Sequence, residues 1–172
     1  GKGDHERKVF LGKLLPMLVM AMVASLVLGM GLPTTANYIV CSTIVAPALI
    51  GMNVLPLAAH MFVFYFGIMA DLTPPVCLAA FTGAGIAGAS PGKTGITATK
   101  IALVAYFIPY SFVYTPMVLL QNPNLVHLAI LVGSSILGIM SLAGSLEGWM
   151  FRDMKPLERL ILLPLAIATF MP

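Results

Sequence analysis

The chain has 172 residues, of which 59% are hydrophobic and 9% charged. Soluble domains carry about 25% charged residues, so there is too little polar surface here to cover a water-soluble fold, and the chain reads as an integral membrane protein. The formal net charge is +3, and the basic residues flank apolar runs instead of forming a stripe, which argues against nucleic acid and for membrane lipid as a partner.

Residues 1–13 are polar, with Lys2, Arg7, Lys8 and Lys13, and read as a cytoplasmic or interfacial lead-in. No small-residue cleavage site closes the apolar run that follows, so no signal peptide is read. The chain starts at Gly1 and stops at Met171-Pro172 inside an apolar run, which is expected of a piece of something longer.

Residues 14–50 are predicted to form one discontinuous membrane helix, broken at residues 31–37. Leu14 to Met30 is uncharged, with Pro16 placed in a first turn, where proline is tolerated. Gly31-Leu32-Pro33-Thr34-Thr35-Ala36-Asn37 then breaks the helix. Tyr38 to Ile50 resumes it for roughly 20 Å, too short to cross a core of about 30 Å alone. Two short halves joined by a break are the pattern of a discontinuous transporter helix.

A turn at Gly51 to Pro56 leads into residues 57–89. Two apolar arms, Leu57 to Asp71 and Val76 to Ala89, meet at Asp71-Leu72-Thr73-Pro74-Pro75. Each arm is roughly 21–23 Å long, so the pair is expected to dip into the membrane and return as a re-entrant hairpin, with its tip at residues 71–76. Ser90 to Gly95 reads as a polar loop. Residues 97–120 are long enough to span, with Pro109 expected to kink them. After a turn at Gln121 to Asn124, residues 125–151 form a further span. Trp149 lies near its end, beside Arg152, Asp153 and Lys155, as an interfacial anchor would. Residues 157–172 begin another span. On this layout Lys93, Lys100, Arg152, Lys155 and Arg159 share one side and Lys2, Arg7, Lys8 and Lys13 the other, so charge leaves the orientation open.

The breaks carry the candidate chemistry. Proline removes a backbone donor and clashes with the carbonyl four residues back. Pro33 is therefore expected to free the carbonyl of Gly29, and Pro74 and Pro75 those of Ala70 and Asp71. Unpaired carbonyls survive at membrane depth only where protein, water or an ion partners them. Thr34, Thr35 and Thr73 add hydroxyls and Asn37 an amide. The helix starts near Asn37 and Val76 present N–H groups that favour anionic substrate groups. An ordinary pair of proline kinks is the plain alternative. Asp71 is the only acid between Glu6 and Glu147. An acid at this depth is a functional candidate: it binds a cation, relays a proton or caps the second arm, or else it merely solvates the tip.

Other motifs say less. Gly83-Ala84-Gly85-Ile86-Ala87-Gly88 fits G-x-G-x-x-G, but no strand precedes it and no acid follows about twenty residues on. Ala79, Ala80, Gly83, Ala84 and Gly88 read instead as small residues that let the second arm pack closely. Cys41 and Cys77 read as small buried hydrophobes. His60 and His127 have no sequence partner. No metalloprotease, serine-hydrolase or zinc spacing is present, so nothing points to an enzyme or a resident cofactor.

At GMGLPTTANY (Gly29 to Tyr38) and LAAHMFVFYFGIMADLTPPVCLAAFTGAGIAG (Leu57 to Gly88) the chain resembles the large membrane subunit of tripartite ATP-independent periplasmic (TRAP) transporters. The closer resemblance is to the branch served by TAXI-type binding proteins, where the permease is often one fused polypeptide. It continues through PGKTG to Phe112-Val113-Tyr114. The resemblance implies an all-α fold of two inverted repeats, of which one half is present here. Each half would hold a broken helix and a re-entrant hairpin with a sodium site between them. That site would use Gly31, Pro33 and Thr34 at the break and Thr73 and Pro74 at the tip, with Asp71 as an added candidate ligand. Thr35, Asn37 and Pro75 are the candidates for the substrate. Asp71 departs from the uncharged residue expected at the tip, which leaves proton coupling open.

The resemblance further implies a sodium-coupled importer of small, carboxylate-bearing solutes in a bacterial or archaeal inner membrane. Its partners would be a periplasmic binding protein, a small membrane subunit or its fused equivalent, and the rest of the permease. The rival readings are a proton-coupled carrier or channel using Asp71, and a non-transporting assembly protein.

Overall fold

A computed structural model describes residues 2–120, 125–150 and 152–168. Among the described residues every regular element is a helix, and the only ladder pairing seen is an isolated bridge between Trp149 and Asp153. The α-helices are α1 (Lys2–Gly29), α2 (Thr34–Gly51), α3 (Pro56–Met69), α4 (Leu78–Ala87), α5 (Pro91–Ala102), α6 (Ile108–Tyr114), α7 (Leu125–Glu147) and α8 (Pro156–Ala168). Short 3-10 turns occupy Ala70–Leu72, Leu103–Phe107 and Pro116–Leu119. Four stretches among the described residues are long and apolar enough to cross a membrane: Gly12–Gly29, Thr34–Gly51, Pro91–Tyr114 and Val126–Glu147. The chain is an all-α, multi-pass membrane protein. It divides into two units, Gly1–Thr99 and Lys100–Pro172.

The first unit is built on three facing stripes. Leu14, Leu18, Ala21, Ser25 and Gly29 are buried along α1, at the three-to-four spacing of one helix face. Asn37, Cys41, Val45 and Leu49 do the same on α2, and Ala58, Ala59, Phe62, Val63, Phe66 and Gly67 on α3. The three helices pack pairwise against one another. Their opposite faces are also apolar: Met20, Val27, Ile39, Ile44, Leu57 and Ile68 are exposed. Lipid is as apolar as these side chains, so burial alone does not hold such helices together; close packing and interhelical hydrogen bonds do.

The tightest packing surrounds the Asn37 side chain. Its Nδ2 donates to the Gly67 carbonyl at 2.9 Å, and its Oδ1 accepts from the Cys41 thiol at 3.1 Å. A Cβ at Gly67 would stand 2.8 Å from Asn37 Nδ2. One at Gly29 would collide with that same nitrogen and lie 2.7 Å from the Cβ of Ala70. Glycine is required at both positions because an amide side chain fills the space. Beside this contact, the Tyr38 hydroxyl and His60 Nδ1 lie 3.1 Å apart, and the Tyr38 ring meets Phe64 edge-on at 5.5 Å.

The connections obey local rules. Gly31 has φ +79 just past α1, a left-handed helix end that glycine adopts without strain. Leu55 is extended and Pro56 opens α3. At the far end of α4, Gly88 has φ +64 and the Ala89 N–H returns to the Ala84 carbonyl at 2.8 Å, which is a Schellman-type end.

In the second unit, α7 packs against α8. α7 ends at Glu147, and Gly148 follows it with φ +79. Arg159 of α8 then donates from Nε to the Ser145 carbonyl at 2.8 Å and from Nη2 to that of Leu146 at 2.6 Å. A cation on the last carbonyls of a helix is placed where the helix dipole favours it. Glu158 in the first turn of α8 accepts from the Lys155 N–H at 3.1 Å and pairs with Arg152 at 2.7 Å, which is half of a capping box.

Several boundaries differ from the sequence expectation. α1 begins at Lys2, so the polar lead-in is helical and Pro16 lies inside the helix. Residues 90–95 are not a loop: α5 starts at Pro91, and the Thr94 N–H bonds the Ser90 carbonyl at 3.0 Å. A serine before a proline at the first helical position is a start signal, here outweighed in the sequence by two glycines. The stretch expected as one helix over 97–120 changes to 3-10 geometry at Leu103–Phe107, and Pro109 sits in the first turn of α6 instead of kinking a helix interior. α7 ends at Glu147, short of the expected 151. The turn expected at residues 121–124, and the ends expected at 151 and 169–172, lie outside the described residues.

The Asn37 contact sets a stability test. Gly67→Ala and Gly29→Ala each overpack a closed site and are expected to destabilise by about 1–3 kcal/mol. Gly12→Ala meets nothing within 4 Å and should be neutral or slightly stabilising in its helix. Thermal unfolding of the purified protein in detergent, comparing the three variants, checks this order.

Candidate functional site

The two breaks in the first unit abut. α1 stops at Gly29 and α2 starts at Thr34. α3 stops at Met69, a single 3-10 turn follows, and α4 starts at Leu78. The C-terminal end of α1 packs on the 3-10 turn. Contact is made where the Gly29 position meets Ala70, and where a Cβ on Gly31 would lie 3.9 Å from Val76 Cγ1. α3 and α4 have 14 and 10 residues, about 21 and 15 Å, so neither crosses a core of about 30 Å.

The carbonyls at the breaks are partly re-partnered. The Gly29 carbonyl accepts from the Leu32 N–H at 3.3 Å and the Ala70 carbonyl from the Thr73 N–H at 3.2 Å. The expectation that proline leaves these two free is therefore corrected: the chain turns tightly enough for a downstream N–H to replace the lost one. Each carbonyl oxygen has two lone pairs, so one bond does not remove it as a cation ligand. The Thr73 hydroxyl donates to the Met69 carbonyl at 2.6 Å, an arrangement that points its proton away and keeps oxygen lone pairs for an acceptor role.

The helix starts are uncapped by side chains. Pro33 precedes α2 and Cys77, in the left-handed region with φ 40, precedes α4; neither side chain bonds its helix. The first N–H groups of each helix lack intrahelical partners. In a membrane interior such groups need water, protein or a ligand.

The residues singled out from the sequence fall into three environments. Gly31, Pro33, Thr34, Thr35, Pro74 and Pro75 are exposed. Asp71 and Thr73 are half-buried. Asn37 is fully buried, and its amide is engaged between α2 and α3 as described above. Cys41 and Cys77 are free and buried. Of the small residues in the second arm, Ala80 and Ala84 are buried while Ala79, Gly83 and Gly88 are exposed. Among the described residues no group of three His, Cys, Asp or Glu side chains converges, so the donors available at the breaks are carbonyls, hydroxyls and the Asp71 carboxylate, the oxygen set that suits a hard cation.

The sequence did not reveal what braces the tip. α5 returns to the start of α4, where Gly95 lies beside Cys77 and Phe81. A Cβ at Gly95 would stand 3.0 Å from Cys77 Sγ and 3.2 Å from Phe81 Cε1. At the far end of this return, Thr99 Oγ1 lies 2.9 Å from the Leu72 carbonyl in the tip and 2.9 Å from its own helix carbonyl at Gly95. A hydroxyl has one proton, so it serves one of these carbonyls at a time. The Ser90-Pro91 start signal marks where α5 begins, though the glycines around it made the stretch read as a loop, and nothing in the sequence pairs Thr99 with Leu72.

A family model described as the DctM component of the tripartite ATP-independent periplasmic transporter matches residues 8–125. Comparisons with curated proteins and with solved structures return no match. The matched region covers most of the chain, both breaks included, and the chain belongs to the DctM family.

The tip brace is testable. Thr99→Val keeps the side-chain shape and removes a bond of about 1 kcal/mol, roughly a fivefold change in an opening equilibrium. In a Thr73→Cys background, a water-soluble maleimide should label the tip several-fold faster once Thr99 is valine.

Proposed function

We propose that this chain forms part of a sodium-coupled, binding-protein-dependent importer of small organic solutes bearing carboxylates, and that its transport site lies where the two helix breaks meet. The supporting observation is the junction itself: Gly29 against Ala70 and Gly31 against Val76 put the end of α1 and the tip of the α3–α4 hairpin side by side. Each contributes one uncapped helix start and a cluster of backbone and hydroxyl oxygens. In this reading the carbonyls around Gly31 and Pro33, with Thr34, Thr73, Pro74 and Asp71, receive sodium. The N–H groups beside Thr35 at the start of α2 and beside Pro75 at the tip receive the solute, and Asn37, buried behind them, holds the break in place. A cation and an anion bound next to each other support one another electrostatically, which is a physical basis for symport.

The α3–α4 pair acts as a re-entrant hairpin held against α1 and α2, which pack side by side and are each long enough to cross the membrane. The clamp at Asn37 makes them move as one body. Membership of the DctM family supports a secondary transporter whose partners are a periplasmic binding protein, here proposed to be of TAXI type, and a small membrane subunit or its fused equivalent. An inverted second repeat elsewhere in the permease and a location in the inner membrane complete the reading.

One observation favours a second reading. Asp71 is half-buried at the tip, and among the described residues it makes no ion pair. A proton-coupled carrier would use this carboxylate as its titrating group.

Uptake by the intact permease and its binding protein in liposomes separates the two. An imposed sodium gradient should drive uptake, and collapsing it should abolish uptake. Thr73→Ala should raise the sodium needed for half-maximal uptake by about tenfold or more, as expected for losing one bond to a charged group worth roughly 1.5–3 kcal/mol. Uptake that ignores sodium, follows an imposed pH gradient and vanishes in Asp71→Asn would replace sodium coupling with proton coupling. Uptake without any binding protein would remove the tripartite reading.

A further inference from the structure

In the second unit, α8 carries its charges and its apolar side chains the opposite way round from a helix of a water-soluble fold. Glu158 and Arg159 are half-buried, while Leu157, Leu160, Ile161 and Leu165 are exposed. Such a helix is at home in lipid, which takes the apolar face and leaves the charges to protein partners. The apolar stretch Val126–Glu147 ends just before this region. Trp149 follows it and is exposed, as an aromatic at a membrane–water boundary is.

A groove of about 460 Å³ lies between α8 and the connection that leads into it, lined by Met150, Arg152, Met154, Glu158, Ile161 and Leu162. Clefts that hold small ligands are about 300–1,000 Å³. Glu158, Ile161 and Leu162 share one face of α8 at three-to-four spacing. Both sides of the groove are tied down. The Met154 N–H donates to the Gly148 carbonyl at 2.8 Å and the Met150 N–H to the Arg152 carbonyl at 3.3 Å, which folds the connection back on itself. Arg159 holds α8 to the last carbonyls of α7. The groove therefore has a fixed shape with a polar end, where Arg152 and Glu158 pair at 2.7 Å, and an apolar end at Ile161 and Leu162.

The charges around the polar end balance: Arg152 and Lys155 against Asp153 and Glu158. Arg152 gives one of its five donors to Glu158. Glu158 takes that bond and one from the Lys155 N–H, and a carboxylate has about four acceptor sites. Among the described residues Asp153 and Lys155 form no ion pair. A headgroup with a phosphate and a primary ammonium meets both signs at once. A purely anionic headgroup leaves the carboxylates facing negative charge, and a quaternary ammonium has no N–H to donate to them. A helix of another protein laid in the groove would bury the Arg152–Glu158 pair at a desolvation cost, whereas a lipid headgroup keeps that pair at the wet surface.

We propose that this groove binds a phospholipid with an ethanolamine headgroup. One acyl chain lies along Met150, Met154, Ile161 and Leu162, the phosphate meets Arg152, and the ammonium meets Glu158. Methionine side chains are flexible and polarizable, so they fit acyl chains of varied length and unsaturation, and the charged end selects the lipid. Neither sodium coupling nor the helix breaks enter into it.

The test is photolabelling, in native membranes and again after purification in detergent. The probe is phosphatidylethanolamine with a photoreactive group on one acyl chain, and the attachment site is read by mass spectrometry. Label is expected on Met150, Met154, Ile161 or Leu162. Unlabelled phosphatidylethanolamine should compete at about tenfold lower concentration than phosphatidylcholine or phosphatidylglycerol with the same chains, a ratio typical of one charge-assisted bond. Arg152→Gln should weaken the groove label by about tenfold. Ile161→Trp, which fills the groove from an exposed position, should abolish it and leave label on the exposed α7 residues Val126, Ile130 and Ile136 unchanged. Groove label no stronger than label on those α7 residues is ordinary lipid contact and overturns the proposal. So does equal competition by the three lipids. Groove label that appears after purification but not in native membranes means that another polypeptide occupies the groove, and that overturns it as well.

Discussion

The amide of Asn37 is the contact on which the first unit depends. A polar side chain inside an apolar bundle is costly unless its hydrogen bonds are made. Asn37 makes one to the Gly67 backbone on α3 and takes one from Cys41 on its own helix. Gly29 of α1 and Gly67 of α3 enclose it from two sides, so three helices meet at a single side chain. Because apolar contact alone does not favour helix over lipid, this bonded, closely packed point is what keeps the end of α1 and the hairpin in register. The junction of the two breaks follows from it: Ala70 lies against Gly29 because Gly67, one turn earlier, is tied to Asn37.

The same principle recurs with different chemistry. The Tyr38–His60 contact ties the first turns of α2 to α3. Thr99 joins α5 to the tip. In the second unit, Arg159 closes the last carbonyls of α7 and fixes its approach to α8. In each case a polar group meets a backbone or side-chain partner on another helix, and the apolar majority fills the remaining space. The cost of leaving such a group unpaired is higher in lipid than in water, so a few polar residues carry much of the specificity in a chain with few of them.

Both breaks were legible because glycine and proline disrupt helices for local reasons. Gly31, Pro33, Pro74 and Pro75 act through backbone torsions and a missing donor, which neighbours in sequence decide. The short arms were legible for the same reason, as lengths between such residues. What was not legible concerns partners far apart in the chain. Asn37 read as a ligand candidate from its place beside the break, yet its amide faces Gly67, thirty positions on. The carbonyls of Gly29 and Ala70 read as free, yet a turn N–H reaches each. Ser90 to Gly95 read as a loop because two glycines and a lysine outweighed a serine-proline helix start.

The sequence by itself determined that the protein is a helical membrane chain, where its helices are interrupted, and which oxygen-bearing side chains flank the interruptions, because hydropathy and backbone chemistry act over a few residues. It also carried enough of the DctM pattern to identify the family. Only the tertiary structure decided that the two interruptions touch, that Asn37 is the clamp between them, and that Thr99 reaches the hairpin tip. Those facts depend on how α5 returns to the tip and how three helix faces close on one amide. Such contacts between distant residues leave no periodicity in the sequence to read.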